Sequence, residues 1–258
     1  MLDKIRAFAR LIFFALGSIF YILRYLIKAA FVGFDLDRGL RIRREWFRAI
    51  CWGLGVEIQI FGEFPKEGGL LVCNHRSYFD PIIVLSDVLA LPVGKAEVKD
   101  WPIIGWGAKV SGSIFVDRKS KIGRKQTRQQ IKDVLQKGYS VVNYPEGTTH
   151  TLSQTIEFKP GMFRDAALEN FKIYPIALEY QQTKDAWVGD DTFIRHFFEC
   201  FGKKKTFIRV SYGGFLVGND QTELIMKSKK FIDSELRRIR ENWHQENLAN
   251  YDSKKMVP

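Results

Sequence analysis

The chain reads as an α/β protein, with a mostly parallel central sheet flanked by helices and an N-terminal two-helix membrane-associating motif. Three observations predict this. From Gly55 onward, short apolar β-branched runs alternate with longer amphipathic stretches, as they do when a sheet is covered on both faces. Near the N-terminus, Leu11–Leu23 runs without a charge between Arg10 and Arg24. The 258 residues are 46% hydrophobic and 14% aromatic, enough for a real core, which excludes a disordered or collagen-like chain.

The apolar run comes first. As a helix it rises ~1.5 Å per residue to about 20 Å, short of a hydrocarbon core of ~30 Å, unless snorkelling of Arg24 and Lys28 extends it to Val32. A second helix is expected from Gly39 to Gly53, mixing Arg41, Arg43, Arg44 and Arg48 with Leu40, Ile42, Trp46, Phe47, Ile50 and Trp52. Arginines beside tryptophans suit the headgroups of an anionic leaflet. Residues 1–54 therefore read as a helical membrane anchor, and 55–258 as one α/β domain. A signal peptide and an ordinary buried helix pair are the competing readings. Arg24 and Lys28, and the lack of a small-residue cleavage site, weigh against the first.

Six strands are expected in the domain: Val56–Phe61, Leu70–Cys73, Ile114–Val116, Tyr139–Asn143, Ile173–Tyr180 and Phe207–Tyr212. Helices are expected over Pro81–Ala90, Ser120–Gln136, Gly161–Asn170 and Gln221–Gln245, the last opened by a capping-box pattern at Asp220 and Glu223.

Charge and cysteines narrow the class. Forty basic residues face 29 acidic ones, a net +11. The excess lies at the ends: ten basic and five acidic residues in 1–60, 18 and 17 in 61–200, and 12 and 7 in 201–258. A nucleic-acid reader more often carries its basic face on the folded core, and no zinc finger or basic zipper is visible. Phosphate or a membrane surface is the expected anionic partner, and nucleic acid is not. Cys51, Cys73 and Cys200 are too few and too scattered for a disulfide framework, so free thiols in a reducing compartment are expected.

Three polar clusters follow three strands. Asn74-His75-Arg76-Ser77-Tyr78-Phe79-Asp80 closes into the helix opened by Pro81. Two readings stand: Asp80 as an N-cap beside a locally bonded loop histidine, or Asp80 orienting His75 as a general base. The second cluster, Gly112 to Arg118, leads into Lys119, Lys121, Arg124, Lys125, Arg128 and Lys132, either a solvated helix face or a phosphate platform. The third, Tyr144-Pro145-Glu146-Gly147-Thr148-Thr149-His150, is a turn whose glycine lets backbone N–H groups approach a ligand. Ligands of open α/β sheets bind beyond the carboxyl ends of the strands, so three such clusters can converge on one site. No dinucleotide fingerprint, Walker loop or nucleophile elbow is present. Cys73, ending an apolar strand, reads as core, and no metal is expected on His75, Asp80, Glu146 and His150.

These clusters resemble, in order, the blocks of the glycerolipid acyltransferases of the 1-acyl-sn-glycerol-3-phosphate acyltransferase type. Asn74-His75-x4-Asp80 is similar to the first block and Gly112-x-x-Phe115-x-x-Arg118 to the second. Pro145-Glu146-Gly147-Thr148 is similar to the third and Ile173-Tyr174-Pro175-Ile176 to the fourth. The likeness covers about residues 56–180.

It implies transfer of a fatty acyl group from acyl-CoA or acyl carrier protein to a lysolipid hydroxyl, with no further cofactor and no acyl-enzyme, on the cytoplasmic face of the cell membrane. His75 and Asp80 would be catalytic. Arg118, Glu146, Gly147, Thr148, Asn74, Ser77, Gly112, Phe115 and Pro175 would bind or shape the substrate pocket, with 1-acyl-sn-glycerol-3-phosphate as acceptor and phosphatidic acid as product. Thr149 stands where the family often has arginine and Tyr144 where phenylalanine is usual. The lost cation favours another lysophospholipid or an aminolipid as the alternative acceptor. The alternative of another class is a catalytically silent lipid-binding protein.

Overall fold

The computed structural model describes residues 1–101, 104–117 and 119–255. Arg118, expected to hold the acceptor phosphate, lies outside them, as do Pro102 and Ile103.

Seven strands form one sheet in the order β1-β7-β6-β2-β5-β3-β4. They are β1 (Val56–Phe61), β2 (Leu70–Cys73), β3 (Ala90–Lys95), β4 (Ile114–Val116), β5 (Ser140–Asn143), β6 (Ile173–Tyr180) and β7 (Thr206–Tyr212). Every pair is parallel except β6 with β7. The central strand β2 is buried at all four residues, as its unbroken Leu-Leu-Val-Cys run requires.

The sheet has a core on each face. Leu71, Cys73, Tyr174, Ile176 and Leu178 meet α2 (Leu36–Leu54), α3 (Asp80–Asp87) and α7 (Phe193–Phe201). Leu70, Val72, Ile173 and Ala177 face α5 (Lys121–Gln136), α6 (Gly161–Glu169) and α8 (Gln221–Lys255). A short α4 (Ile104–Val110) stands between β3 and β4.

The apolar N-terminal run grows into a 31-residue helix, α1 (Leu2–Val32), starting well before Leu11. At ~1.5 Å per residue it is about 46 Å long, enough to cross a bilayer by length and composition. Only 17% of its most apolar window is buried, and Phe8, Leu16, Phe20, Ile27 and Phe31 face outward. The second helix starts three residues earlier than expected, capped by Asp35, whose carboxylate accepts the Arg38 N–H at 2.7 Å. Its Trp46, Ile50, Cys51 and Leu54 belong to the same core as β2 and α3, so α2 is continuous with the domain's interior.

Three elements escape the sequence pattern, the short α4 and two that bear on the site. β3 pairs in parallel with both β5 and β4, so the expected Pro81–Ala90 helix stops at Asp87 and Ala90 begins a strand. α7 carries His196, Phe197, Cys200 and Phe201 inward on one face.

Candidate active site

Register explains why the first and third clusters meet. β2 and β5 are neighbours with Val72 opposite Asn143. Three residues beyond each lie His75 and Glu146, and the His75 N–H donates to Glu146 Oε2 at 2.7 Å. Tyr144 stacks on the imidazole with centroids 4.3 Å apart.

Asp80 lies at the first turn of α3, with Phe79 in the capping position. Its carboxylate turns back into the preceding loop. Oδ2 accepts from Arg76 N at 2.6 Å and Ser77 N at 2.8 Å, and lies 2.7 Å from His75 Nδ1. Oδ1 accepts the Tyr180 hydroxyl at 2.9 Å. Burial, reinforced by the Asp80 charge, pushes the Tyr180 phenol well above its ordinary pKa, which keeps it a donor. Four donors surround a fully buried carboxylate, so His75 Nδ1 must carry the proton it shares with Asp80. Nε2 is left with its lone pair, and no described residue hydrogen-bonds it. Of the two readings of Asp80, the geometry fits the second in that Asp80 orients the His75 imidazole and leaves the capping position to Phe79.

His75 lies in the wall of a cavity of about 580 Å³. The rest of the lining is largely apolar and includes Phe14, Ile22, Trp46, Phe47, Phe115 and Phe197. Gly147, Thr148 and Thr149 reach it from the third cluster, and Ser113 and Phe115 from the second, so all three clusters open on one space. Gly147 has φ +72, and a Cβ there would strike the Lys159 side chain.

Other expected contacts are placed elsewhere. Asn74 is buried and spends its amide on Leu178, donating to the carbonyl and accepting from the N–H, both at 2.8 Å. Ser77 Oγ accepts the Phe79 N–H within the loop. Pro175 pairs with Val72 on the opposite face of the sheet, against Phe231 and Gly213. Gly112 has φ +81, and a Cβ there would strike Leu36. These four support the walls from behind and do not line the cavity. Glu146, expected to meet Arg118 or substrate, is buried and committed to His75 N–H, His150 Nε2 (2.7 Å) and Ile156 N–H (3.1 Å).

Cys73 is buried, which pushes its thiol well above the usual range, as expected of a core residue. Among the described residues, no group of three or more His, Cys, Asp or Glu side chains could hold a metal ion.

Sequence reasoning missed two parts of the site. Arg76 is fully buried, donating to the His150 and Leu152 carbonyls and to Glu179 Oε2 at 3.2 Å, while Arg240 of α8 meets the same oxygen at 2.6 Å. A charge next to a catalytic-type histidine was the only local signal, because Glu179 lies 103 residues away. The second part is the role of the turn before α7, whose Trp187-Val188-Gly189-Asp190-Asp191 resembles the family but suggests no role from sequence alone. Trp187 N–H donates to the Arg76 carbonyl at 2.9 Å, and the turn brings Trp187, Gly189 and Asp190 to the cavity.

A buried carboxylate–imidazole pair beside an apolar cavity, at the carboxyl ends of parallel strands, can support base-assisted chemistry on an apolar molecule, and residues 56–179 match the family model described as Acyltransferase. Over residues 56–179 the chain is similar to the acyltransferases that this model describes. It is similar to lyso-ornithine lipid O-acyltransferases of Pseudomonas aeruginosa, at 33% identity over 60% of this chain and 62% of that protein, and of Rhizobium meliloti, at 29% over 69% and 68%. It is also similar to 1-acyl-sn-glycerol-3-phosphate acyltransferase of Neisseria meningitidis, at 25% over 53% and 54%. The match spans less than two thirds of the Pseudomonas protein's length. The fold is that of the crystal structure of the 1-acyl-sn-glycerophosphate acyltransferase PlsC from Thermotoga maritima. That likeness has a TM-score of 0.71 over 92% of this chain and 98% of that one, at 14% identity.

Proposed function

We propose that this chain is a membrane-seated O-acyltransferase that moves a fatty acyl group from an acyl thioester to the hydroxyl of a lysolipid. The observation that carries it is His75, with Nδ1–H on Asp80 and an Nε2 that no described residue hydrogen-bonds, at the wall of an apolar cavity. His75 Nε2 takes the hydroxyl proton as the acceptor oxygen attacks the thioester carbonyl. The tetrahedral adduct collapses, the C–S bond breaks, and the imidazolium returns the proton to the leaving thiolate. Asp80 stabilises the imidazolium between the two transfers. Such base catalysis is worth roughly 10²–10⁴-fold, with positioning supplying more. Attack is direct, since the neighbouring thiol, Cys73, is buried and held protonated.

The acceptor we favour is a lyso-aminolipid of the ornithine type. Thr149 supplies no cation at the cavity, Asp190 is the one carboxylate among its described lining residues, and of the two cations there Arg43 is spent on the Ala90 and Ser111 carbonyls, which leaves Lys95 as the competing charge. A carboxylate attracts an ammonium headgroup and repels a phosphomonoester. The Neisseria relative keeps 1-acyl-sn-glycerol-3-phosphate as the second reading, with Arg118 as its phosphate partner. The donor is acyl-CoA or acyl carrier protein. The exposed apolar face of α1, with Arg41 and Arg44 of α2, seats the enzyme on the cytoplasmic face of the membrane.

Detergent-solubilised protein incubated with a labelled acyl thioester and a panel of lysolipids tests this, with products read by mass. Acylated product from the lyso-aminolipid is expected. Asp190→Lys should move preference toward the phosphate acceptor roughly tenfold, about 1.4 kcal/mol. Product from lysophosphatidic acid alone would reassign the acceptor. No product with either donor type would leave a silent lipid binder.

A further inference from the structure

The main chain of His75 is held from both sides by the third cluster. Its N–H donates to Glu146 Oε2 at 2.7 Å, and its carbonyl accepts the His150 N–H at 3.3 Å. Glu146 Oε1 in turn lies 2.7 Å from His150 Nε2. His150 Nδ1 faces two groups that can only donate, Arg76 Nη1 at 3.1 Å and the Leu152 N–H at 3.2 Å. Nδ1 must therefore accept, and Nε2 carries the proton given to Glu146. The side chain of His150 is only 12% exposed and does not line the cavity.

This closed circuit is anchored from α8. Arg240 bonds Glu179 Oε2 and the Leu152 carbonyl, Lys229 bonds the carbonyls of Thr155 and Ile156, and Asp233 accepts the Thr155 N–H at 2.6 Å. One side of the circuit is thus tied to the end of β2 and the other to a long packed helix.

We infer that His150, as its Nε2–H tautomer, is a positioning residue. It fixes Glu146 against the His75 main chain and so sets where His75 Nε2 meets the acceptor hydroxyl. The inference rests on the reading of His75 as the base, and it gives a role to a side chain that touches no substrate. A shift of about 1 Å at a reacting group can cost on the order of 10²-fold. His150 therefore acts on kcat and leaves binding alone.

Compare the wild type, His150→Phe and His150→Gln in acyl transfer to the acceptor that the wild type uses. Glutamine offers one donor and one acceptor, so it can bridge Glu146 and Arg76, which phenylalanine cannot. His150→Phe should lose roughly ten- to hundredfold in kcat with both KM values little changed, and His150→Gln should recover most of that loss. The His75 Nδ1–H proton and Nε2 nitrogen resonances, read in labelled protein, should match the wild type in His150→Gln and shift in His150→Phe. Unmoved His75 resonances and an undiminished kcat in His150→Phe would overturn the assignment. So would a folded His150→Gln as damaged as His150→Phe. The resonances report on the circuit even if the wild type turns over no lysolipid, which separates failure of this inference from failure of the proposed reaction.

Discussion

Two walls meet at His75, and they are built by opposite rules. The wall made by the loops after β2 and β5 is a directional network. Asp80 accepts from four groups, Glu146 from three, and Arg76 reaches two carbonyls, the His150 ring and Glu179. The wall made by α1, α2 and α4 is held by shape. Trp46 stacks on Tyr21 with centroids at 5.0 Å, leans on Phe13 at 5.6 Å and donates its indole N–H to Ser18 Oγ at 3.1 Å. Its one buried cation, Arg43, is pushed down to a pKa of about 9 by burial and is spent on the carbonyls of Ala90 and Ser111. A network of buried polar groups fails when one member is lost, whereas a packed apolar wall yields volume for volume. Chemistry should therefore break on the loop wall, and acyl-chain selectivity should move on the helical one.

The largest effect is expected at Asp80. Asn in place of Asp80 can keep its carbonyl on the N–H groups of His75, Arg76 and Ser77 and turn its amide toward the Tyr180 oxygen, so the fold survives. The charge that stabilises the imidazolium does not. Turnover should fall about 10²–10⁴-fold with little change in melting temperature, read by steady-state kinetics beside a thermal melt.

Next comes Glu179→Ala, which strands Arg76 with no counter-charge. A cost of about 3–5 kcal/mol is expected in the denaturation midpoint. A cost near zero would mean that the carbonyl bonds of Arg76 suffice.

On the other wall, Ser18→Phe fills cavity volume without touching the loops. It should move donor preference to shorter acyl chains and leave kcat on short donors unchanged. A uniform loss of kcat would erase the contrast between the walls.

The smallest effect concerns His196, behind Tyr78. Its Nδ1 lies 3.3 Å from the Tyr78 hydroxyl and its Nε2 3.1 Å from the Asp185 carbonyl, which suits the neutral ring. Burial holds its pKa below the ordinary 6.5, so the unfolded chain binds the proton first. The stability it carries is full above pH 6.5 and is lost as pH falls below that value, by at most about 1.4 kcal/mol per pH unit. The difference in stability between the wild type and His196→Phe should follow that course between pH 7 and the acid limit of folding.

The loop wall was legible in part. His75, Asp80, Glu146 and the strands that bring them together follow from short polar clusters after apolar runs, since neighbouring strands in register align their ends. Arg76, Glu179 and His150 were not marked as partners, because their pairing spans some 74 to 103 residues and depends on where α8 lands. β3 was hidden by the proline and glycine of Ala90–Lys95, which read as a helix end and a loop. α1 showed its apolar centre and not its length. Its first turns carry Asp3, Lys4, Arg6 and Arg10, which break the apolar pattern; Arg6 pairs with Asp3 at 2.8 Å, and Arg10 reaches the distant carbonyls of Phe201 and Lys203. The cavity itself has no local signature, since its described lining comes from seven separate stretches of chain.

His75→Ala is the measurement that tests the central claim most directly. Acyl transfer by the purified variant to the acceptor used by the wild type should fall by at least about 10³-fold, while its melting temperature and binding to anionic vesicles stay as in the wild type. Turnover within tenfold of the wild type in that folded, membrane-bound variant would contradict His75 as the base, and with it the mechanism built on the loop wall.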